Sequence, residues 1–267
     1  MHFRNIYMKK VLIVGYGDLG HRMAGELTNV SVIAVSRSKP LSSPNVQWVE
    51  WDWYSGKKLQ VNETHFDTIV LIPKPNGSDE GGYKKGYIDG VSSILSQIDA
   101  LNYDQLIAIS STRIYGTKNG KDITESSIPE PDDFRGKIIL QYEQLVVEQS
   151  KIAPLILRPS GLYSEGSHWM QRVINEFTGS KFQLSTRSAN RFSRDVLAHI
   201  IAKCILQQEM RSLSGSLICS EPAKEYAQIY KELFADNLFE DYFAIPAKNS
   251  PVKTFKSQKL FDLDIMG

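Results

Sequence analysis

The feature that most constrains this chain is a short apolar run, Val11-Leu12-Ile13-Val14, that passes directly into Gly15-Tyr16-Gly17-Asp18-Leu19-Gly20. The run is β-branched and apolar throughout, which predicts a strand buried on both faces. Met23, Ala24 and Leu27 then carry a helical period onward from Asp18. A strand, a three-glycine turn and a helix in that order form a dinucleotide-binding fingerprint. Gly15 permits the tight turn, Gly17 lets the backbone approach a pyrophosphate, and Gly20 lets the helix lie close to the strand. The diphosphate charge would meet the free N–H groups of Asp18, Leu19 and Gly20 at the helix start. The plain alternative is a glycine turn that only joins strand to helix.

Similar apolar runs recur at Val32–Val35, Val46–Val49, Thr68–Ile72, Leu106–Ser110 and Leu155–Leu157. They alternate with helical periods over Asp18–Leu27, Tyr83–Leu101 and Phe134–Glu148. This alternation predicts βαβ units and an α/β fold of Rossmann type, a doubly wound parallel sheet. Beyond Ser160 the pattern loosens into a helix over Asp195–Gln207, a strand over Ser216–Cys219 and a helix over Ala223–Phe234. A small C-terminal substrate lobe is expected, built from 161–189 and 223–267. The dinucleotide-binding domain would span 8–160 and receive about 190–222. Residues Met1–Tyr7 carry no pattern and are read as a loose tail.

The 31 Lys and Arg against 30 Asp and Glu give no overall charge that would draw the chain to nucleic acid or to an anionic membrane, so the expected partner is a small molecule. Cys204 and Cys219 lack the close spacing of a metal clip or redox pair and read as buried free thiols, which suits the cytoplasm. No apolar run is long enough for a membrane span, and no ligand spacing suggests a metal. Oligomeric state stays open between monomer and homodimer.

The second strand ends in Ser36-Arg37-Ser38, where a carboxylate would ordinarily take the ribose hydroxyls of NAD. Arg37 could instead clamp a 2′-phosphate, with Ser36 and Ser38 beside it, which favours NADP over NAD; its bland reading is a solvated turn arginine. Asp52, between Trp51 and Trp53, either accepts from the adenine amino group or is a surface charge.

At Ile109-Ser110-Ser111-Thr112-Arg113-Ile114-Tyr115-Gly116 the chain begins to resemble the extended short-chain dehydrogenases, whose members include nucleotide-sugar epimerases and dehydratases. The resemblance continues at Leu157-Arg158-Pro159-Ser160-Gly161-Leu162-Tyr163 and at Arg191-Phe192-Ser193-Arg194-Asp195-Val196, in the family's order and over most of the chain. The usual extended form has one more residue between its first two glycines, and in this respect the chain is similar to the atypical branch.

The resemblance implies a tyrosine and a lysine four residues apart on one helix, with a glutamate four further on, the lysine lowering the tyrosine's pKa from about 10 for proton exchange during hydride transfer. Matching the glutamate to Glu143 places Arg135 at the tyrosine and Ile139 at the lysine. Neither can do that chemistry. Lys137 lies about 200° around the helix from Ile139. Ser111 matches the residue that hydrogen-bonds the substrate oxygen, or else caps the strand end. Tyr115 either walls the pocket or packs in a turn. Tyr142, on the face of Arg135 and Ile139, is either a displaced proton donor or core. Arg135 would then anchor a substrate carboxylate or phosphate. His168 and Trp169 could line the pocket from the second lobe.

Two functions fit these residues. One is an NADP-dependent oxidoreductase or epimerase-like enzyme acting on a small, nucleotide-linked substrate. The other is a cofactor-binding protein without turnover, a redox sensor or partner-binding module.

Overall fold

The computed structural model describes residues 8–38, 45–117, 120, 122–164, 184–185, 188–225, 228, 244–245, 253–257 and 259–260. Met1–Tyr7, His168 and Trp169 lie outside them.

The chain runs β1 (Lys9–Val14), α1 (Asp18–Glu26), β2 (Val30–Ser36), β3 (Val46–Glu50), β4 (His65–Leu71) and α2 (Glu80–Lys84). A π-helical turn (Lys85–Asp89) leads into α3 (Gly90–Ile98), β5 (Asn102–Ile109), a 3₁₀ turn (Thr112–Tyr115), α4 (Phe134–Gln149) and β6 (Leu155–Pro159). There follow β7 (Gly161–Tyr163), β8 (Leu184–Ser185), β9 (Ser188–Ala189), β10 (Arg191–Ser193), α5 (Arg194–Leu206), β11 (Gly215–Cys219), β12 (Lys224–Glu225) and β13 (Ala244–Ile245).

Seven strands form one parallel sheet in the order β11-β6-β5-β4-β1-β2-β3. Alternation along each strand divides the core in two. Val11, Ile13, Val32, Ala34 and Val70 face α1 and α5, burying Met23, Leu27, Leu197 and Ile201. Leu12, Val14, Ile33, Val35 and Leu71 face the other way, with Val91, Leu95 and Tyr142 of α3 and α4. Strands covered on both faces have to be apolar throughout, which is the pattern in their sequence. β3 and β11 are the edge strands, and β3 is partly exposed along its length.

The order of strands reverses between β1 and β4, the place where doubly wound sheets open a ligand crevice at their C-terminal ends. The segment 191–219 contributes α5 and β11, so the late part of the chain completes the sheet. The helix expected from Ala223 begins differently: Lys224 and Glu225 form a strand antiparallel to Ser188 and Ala189. The period expected as one helix over Tyr83–Leu101 is a helix interrupted by the π-helical turn.

Candidate dinucleotide and substrate site

Gly15 ends β1 with φ +98°, and a Cβ there would stand 2.3 Å from the Ile72 carbonyl oxygen at the end of β4. Both the left-handed backbone and the close strand crossing demand glycine. Gly17 differs. Its φ is −108° and no protein atom lies within 4 Å of the place a Cβ would take, so the fold itself asks nothing of its bareness. A Cβ on Gly20 would approach the Tyr16 ring at 3.1 Å and Ile13 at 3.5 Å, a tight helix-to-strand fit.

α1 begins without a side-chain cap, and its first backbone bond runs from His21 N–H to the Gly17 carbonyl at 2.9 Å. The N–H groups of Asp18, Leu19 and Gly20 therefore precede the helical ladder. The Leu19 side chain is buried. The Asp18 carboxylate pairs with Arg22 Nε at 3.1 Å and Arg194 Nε at 3.6 Å, so a negative charge at this helix start is offset by two guanidiniums. An open glycine and uncapped N–H groups at a strand reversal suit a diphosphate.

At the end of β2, the Ser36 hydroxyl donates to the Ser38 carbonyl at 2.8 Å and accepts from Trp48 Nε1 at 2.9 Å, which ties it into the turn. Ser38 is exposed. The Arg37 guanidinium lies 5.5 Å from the Trp53 ring centroid and 5.4 Å from that of Tyr54, and donates to Asn76 Oδ1 at 3.1 Å. Asp52 is exposed and accepts from Tyr54 N–H at 3.1 Å, the turn-forming role of an aspartate after a strand.

Ser111 and Arg135 are half-buried. The Ser111 hydroxyl accepts from Arg113 N–H at 3.2 Å and so caps the 3₁₀ turn. The Arg135 guanidinium is near the rings of Phe134 (5.2 Å) and Tyr83 (5.6 Å) and makes one long contact, Nη2 to the Ser78 carbonyl at 3.4 Å. Its Nε is buried without a partner. Ile139 is closed into the core, 4% exposed.

Tyr142 and Tyr115 are completely buried. The Tyr142 hydroxyl has no hydrogen-bond partner, and burial raises its pKa well above 10. The Tyr115 hydroxyl donates to the Thr124 carbonyl at 3.3 Å and accepts from Arg158 Nη1 at 2.8 Å. Burial raises its pKa against the pull of Arg158. In this conformation neither phenol faces solvent, and each keeps its proton at neutral pH.

Sequence reasoning did not place several neighbours of the site. Trp53, Tyr54 and Asn76 gather around Arg37, and Lys85 stands against the Tyr54 ring; of these only the aromatic cluster was visible as a pattern. Lys253 reaches the Gly116 carbonyl from far along the chain, and its pKa is lowered to about 8, chiefly by burial. Nothing in its local sequence marks it. A concavity of about 720 Å³ opens between Thr28–Val32 and Asn45–Gln47, on the end of the sheet opposite the glycine turn, and its lining holds no charged residue. Among the described residues no helix is long and apolar enough to cross a membrane, and no group of three His, Cys, Asp or Glu is placed to hold a metal.

No protein-family model matches the chain, and no curated protein matches it. Solved structures do. MoeE5 in complex with UDP-glucuronic acid and NAD is similar at 16% identity and a TM-score of 0.74, over 95% of this chain and 91% of that one. UDP-glucuronic acid 4-epimerase from Bacillus cereus in complex with NAD is similar at 14% identity and 0.72, over 94% and 88%. dTDP-glucose 4,6-dehydratase from Bacillus anthracis in complex with NAD gives 12% identity and 0.71, over 96% and 90%. The chain has the fold of these NAD-bound epimerases and dehydratases.

Proposed function

We propose that the chain binds a nicotinamide dinucleotide with its diphosphate on the Gly15–Gly20 turn, and that it is an oxidoreductase or epimerase-like enzyme for a small, nucleotide-linked substrate. The observation that supports this is the open space at Gly17 ahead of an uncapped helix, since the fold has no other use for a bare backbone there. The solved proteins of this fold named above hold NAD, and one of them UDP-glucuronic acid beside it.

Our finer assignment is NADP, and Arg37 carries it: β2 ends in Ser36-Arg37-Ser38, without a carboxylate to take ribose hydroxyls. When bound, the nicotinamide supplies a hydride donor or acceptor. Arg135, with an unpartnered Nε, takes the substrate's carboxylate or phosphate, and Ser111 polarises its oxygen. Asp18, Leu19 and Gly20 offer backbone donors to the diphosphate, while Asp52 shapes the turn on the adenine side. The division into a domain over 8–160 with about 190–222, and a substrate lobe, is kept as part of this proposal.

The burial of Ile139, Tyr115 and Tyr142 favours a second reading, dinucleotide binding without turnover. Thermal unfolding with NADPH and with NADH tests the first step, because a ligand at a hundred times its Kd stabilises by about 2.7 kcal/mol. No shift with either overturns both readings. NMR of UDP-hexoses and UDP-uronic acids incubated with the loaded protein separates them: a new epimer or oxidised sugar supports the enzyme, and unchanged sugars across the panel support the sensor.

A further inference from the structure

We infer that Lys85, on the π-helical turn, is a second cation of the 2′-phosphate subsite and works with Arg37 across the Tyr54 ring. This builds on the NADP assignment above and adds a residue from a different part of the chain.

Four observations converge on it. The Lys85 Nζ stands 5.4 Å from the Tyr54 ring centroid, the same distance as the Arg37 guanidinium carbon. Two positive groups are thus drawn to one aromatic ring. Among the described residues neither has a carboxylate partner: the side chain of Arg37 hydrogen-bonds there to the neutral amide of Asn76, whereas adjacent Lys84 pairs with Glu80 at 2.8 Å. A phosphate at the edge of that ring would have both cations to pair with.

The same turn also holds the Arg37 side of the subsite in place. A Cβ on Gly86 would stand 2.4 Å from the Lys74 carbonyl oxygen and 2.9 Å from Asn76 N, so only glycine lets this turn lie against the loop after β4. That loop presents Asn76 Oδ1 to Arg37. One turn further on, Gly90 donates its N–H to the Lys85 carbonyl, and a Cβ on it would stand 3.0 Å from the Tyr54 hydroxyl and 3.1 Å from Trp53 Nε1. The π-helical segment therefore seats the aromatic floor, the Asn76 loop and Lys85 together. Extra helical residues of this kind recur at functional sites.

The ligand class is a phosphomonoester on a ribose, carrying close to two negative charges at neutral pH, which distinguishes NADPH from NADH at this one position. Isothermal titration of the full chain with NADPH and NADH tests the inference, using wild type, Lys85→Gln and Arg37→Gln. Lys85 is exposed, so its replacement leaves the core untouched. The expected result is a loss of about tenfold in NADPH affinity for Lys85→Gln with NADH affinity unchanged, the loss shrinking as salt is raised. Lys85→Arg should retain the preference. If Lys85→Gln binds NADPH as wild type does while Arg37→Gln loses its preference, the role of Lys85 is overturned and the Arg37 assignment stands. If wild type does not distinguish the two dinucleotides, the NADP assignment falls and the role of Lys85 falls with it.

Discussion

Arg158 and Glu143 form a two-point ion pair inside the protein, Nε to Oε1 at 3.0 Å and Nη2 to Oε2 at 2.7 Å. Both residues are buried, and the pair also holds its surroundings: Ser110 donates its hydroxyl to Glu143, and Arg158 donates to the Tyr115 hydroxyl. The ends of β5 and β6 are fixed to the middle of α4 by this network. Glu143 stands at the third position of the helical motif implied by the family resemblance, and here it is structural support beneath the site.

Removing one partner of such a pair leaves the other charge buried and unpaired. Glu143→Gln should therefore lower the unfolding free energy by about 3–5 kcal/mol, and Arg158→Met by a similar amount. In the double variant no charge is stranded, so its loss should be smaller than the sum of the two. Urea unfolding of the four proteins measures this. Additive losses would mean that the two side chains act separately.

Gly15 and Gly17 should separate folding from binding. Gly15→Ala forces a side chain into a left-handed backbone and against the Ile72 carbonyl, so it should cost at least about 2 kcal/mol and lower Tm visibly. Gly17→Ala meets no protein atom and should change Tm by little, yet its methyl occupies the approach reserved for a diphosphate. The expected outcome is a stable protein whose thermal shift with NADPH is lost. A Gly17→Ala protein that binds normally would place the dinucleotide elsewhere.

Restoring the lysine that the family resemblance implies should fail. Ile139 lies in the same buried apolar cluster as Ile114, Tyr115 and Tyr142 and is only 4% exposed. Ile139→Lys buries an ammonium, and the expected cost is about 2–4 kcal/mol in denaturant unfolding. An Ile139→Leu control keeps volume and polarity and should cost under about 1.5 kcal/mol. Equal stability of the lysine variant and wild type would show the position to be open to the site.

The sheet was legible because its strands are buried on both faces, and the glycine turn because its three glycines stand in one short run between a strand and a helix, although the contact that demands Gly15 comes from Ile72 at the end of a distant strand. The family resemblance, matched at Glu143, also implies Arg135 and Ile139 in place of the tyrosine and lysine. What the sequence left open was decided by contacts distant in the chain. Whether Tyr142 is core or proton donor depends on the packing of α3 against α4. The surroundings of Arg37 come from the turn after β3, the loop after β4 and the π-helical turn, and no spacing of residues signals that meeting. Cys204 and Cys219 are buried free thiols, as their apolar neighbours suggest.

Lys253 makes the last prediction, because its environment acts on stability in a defined pH window. Burial lowers its pKa from 10.5 to about 8, with Asp132 opposing and Arg113 adding to the shift, while its Nζ donates to the Gly116 carbonyl. Below pH 8 the amine is protonated in both states and the folded chain carries a constant penalty. Between about 8 and 10.5 the unfolded chain binds more protons than the folded one, so this lysine's contribution to stability rises with pH. Buried cysteines and tyrosines act with the opposite sign at the upper end, since their raised pKa values favour the folded state only while the unfolded groups keep their protons. The informative quantity is therefore the difference between wild type and Lys253→Met. Unfolding free energies measured from pH 7 to pH 10 should rise for wild type relative to the variant, by an amount that solvent screening of this half-buried side chain keeps modest. Parallel curves across the window would show that Lys253 titrates as an ordinary surface lysine.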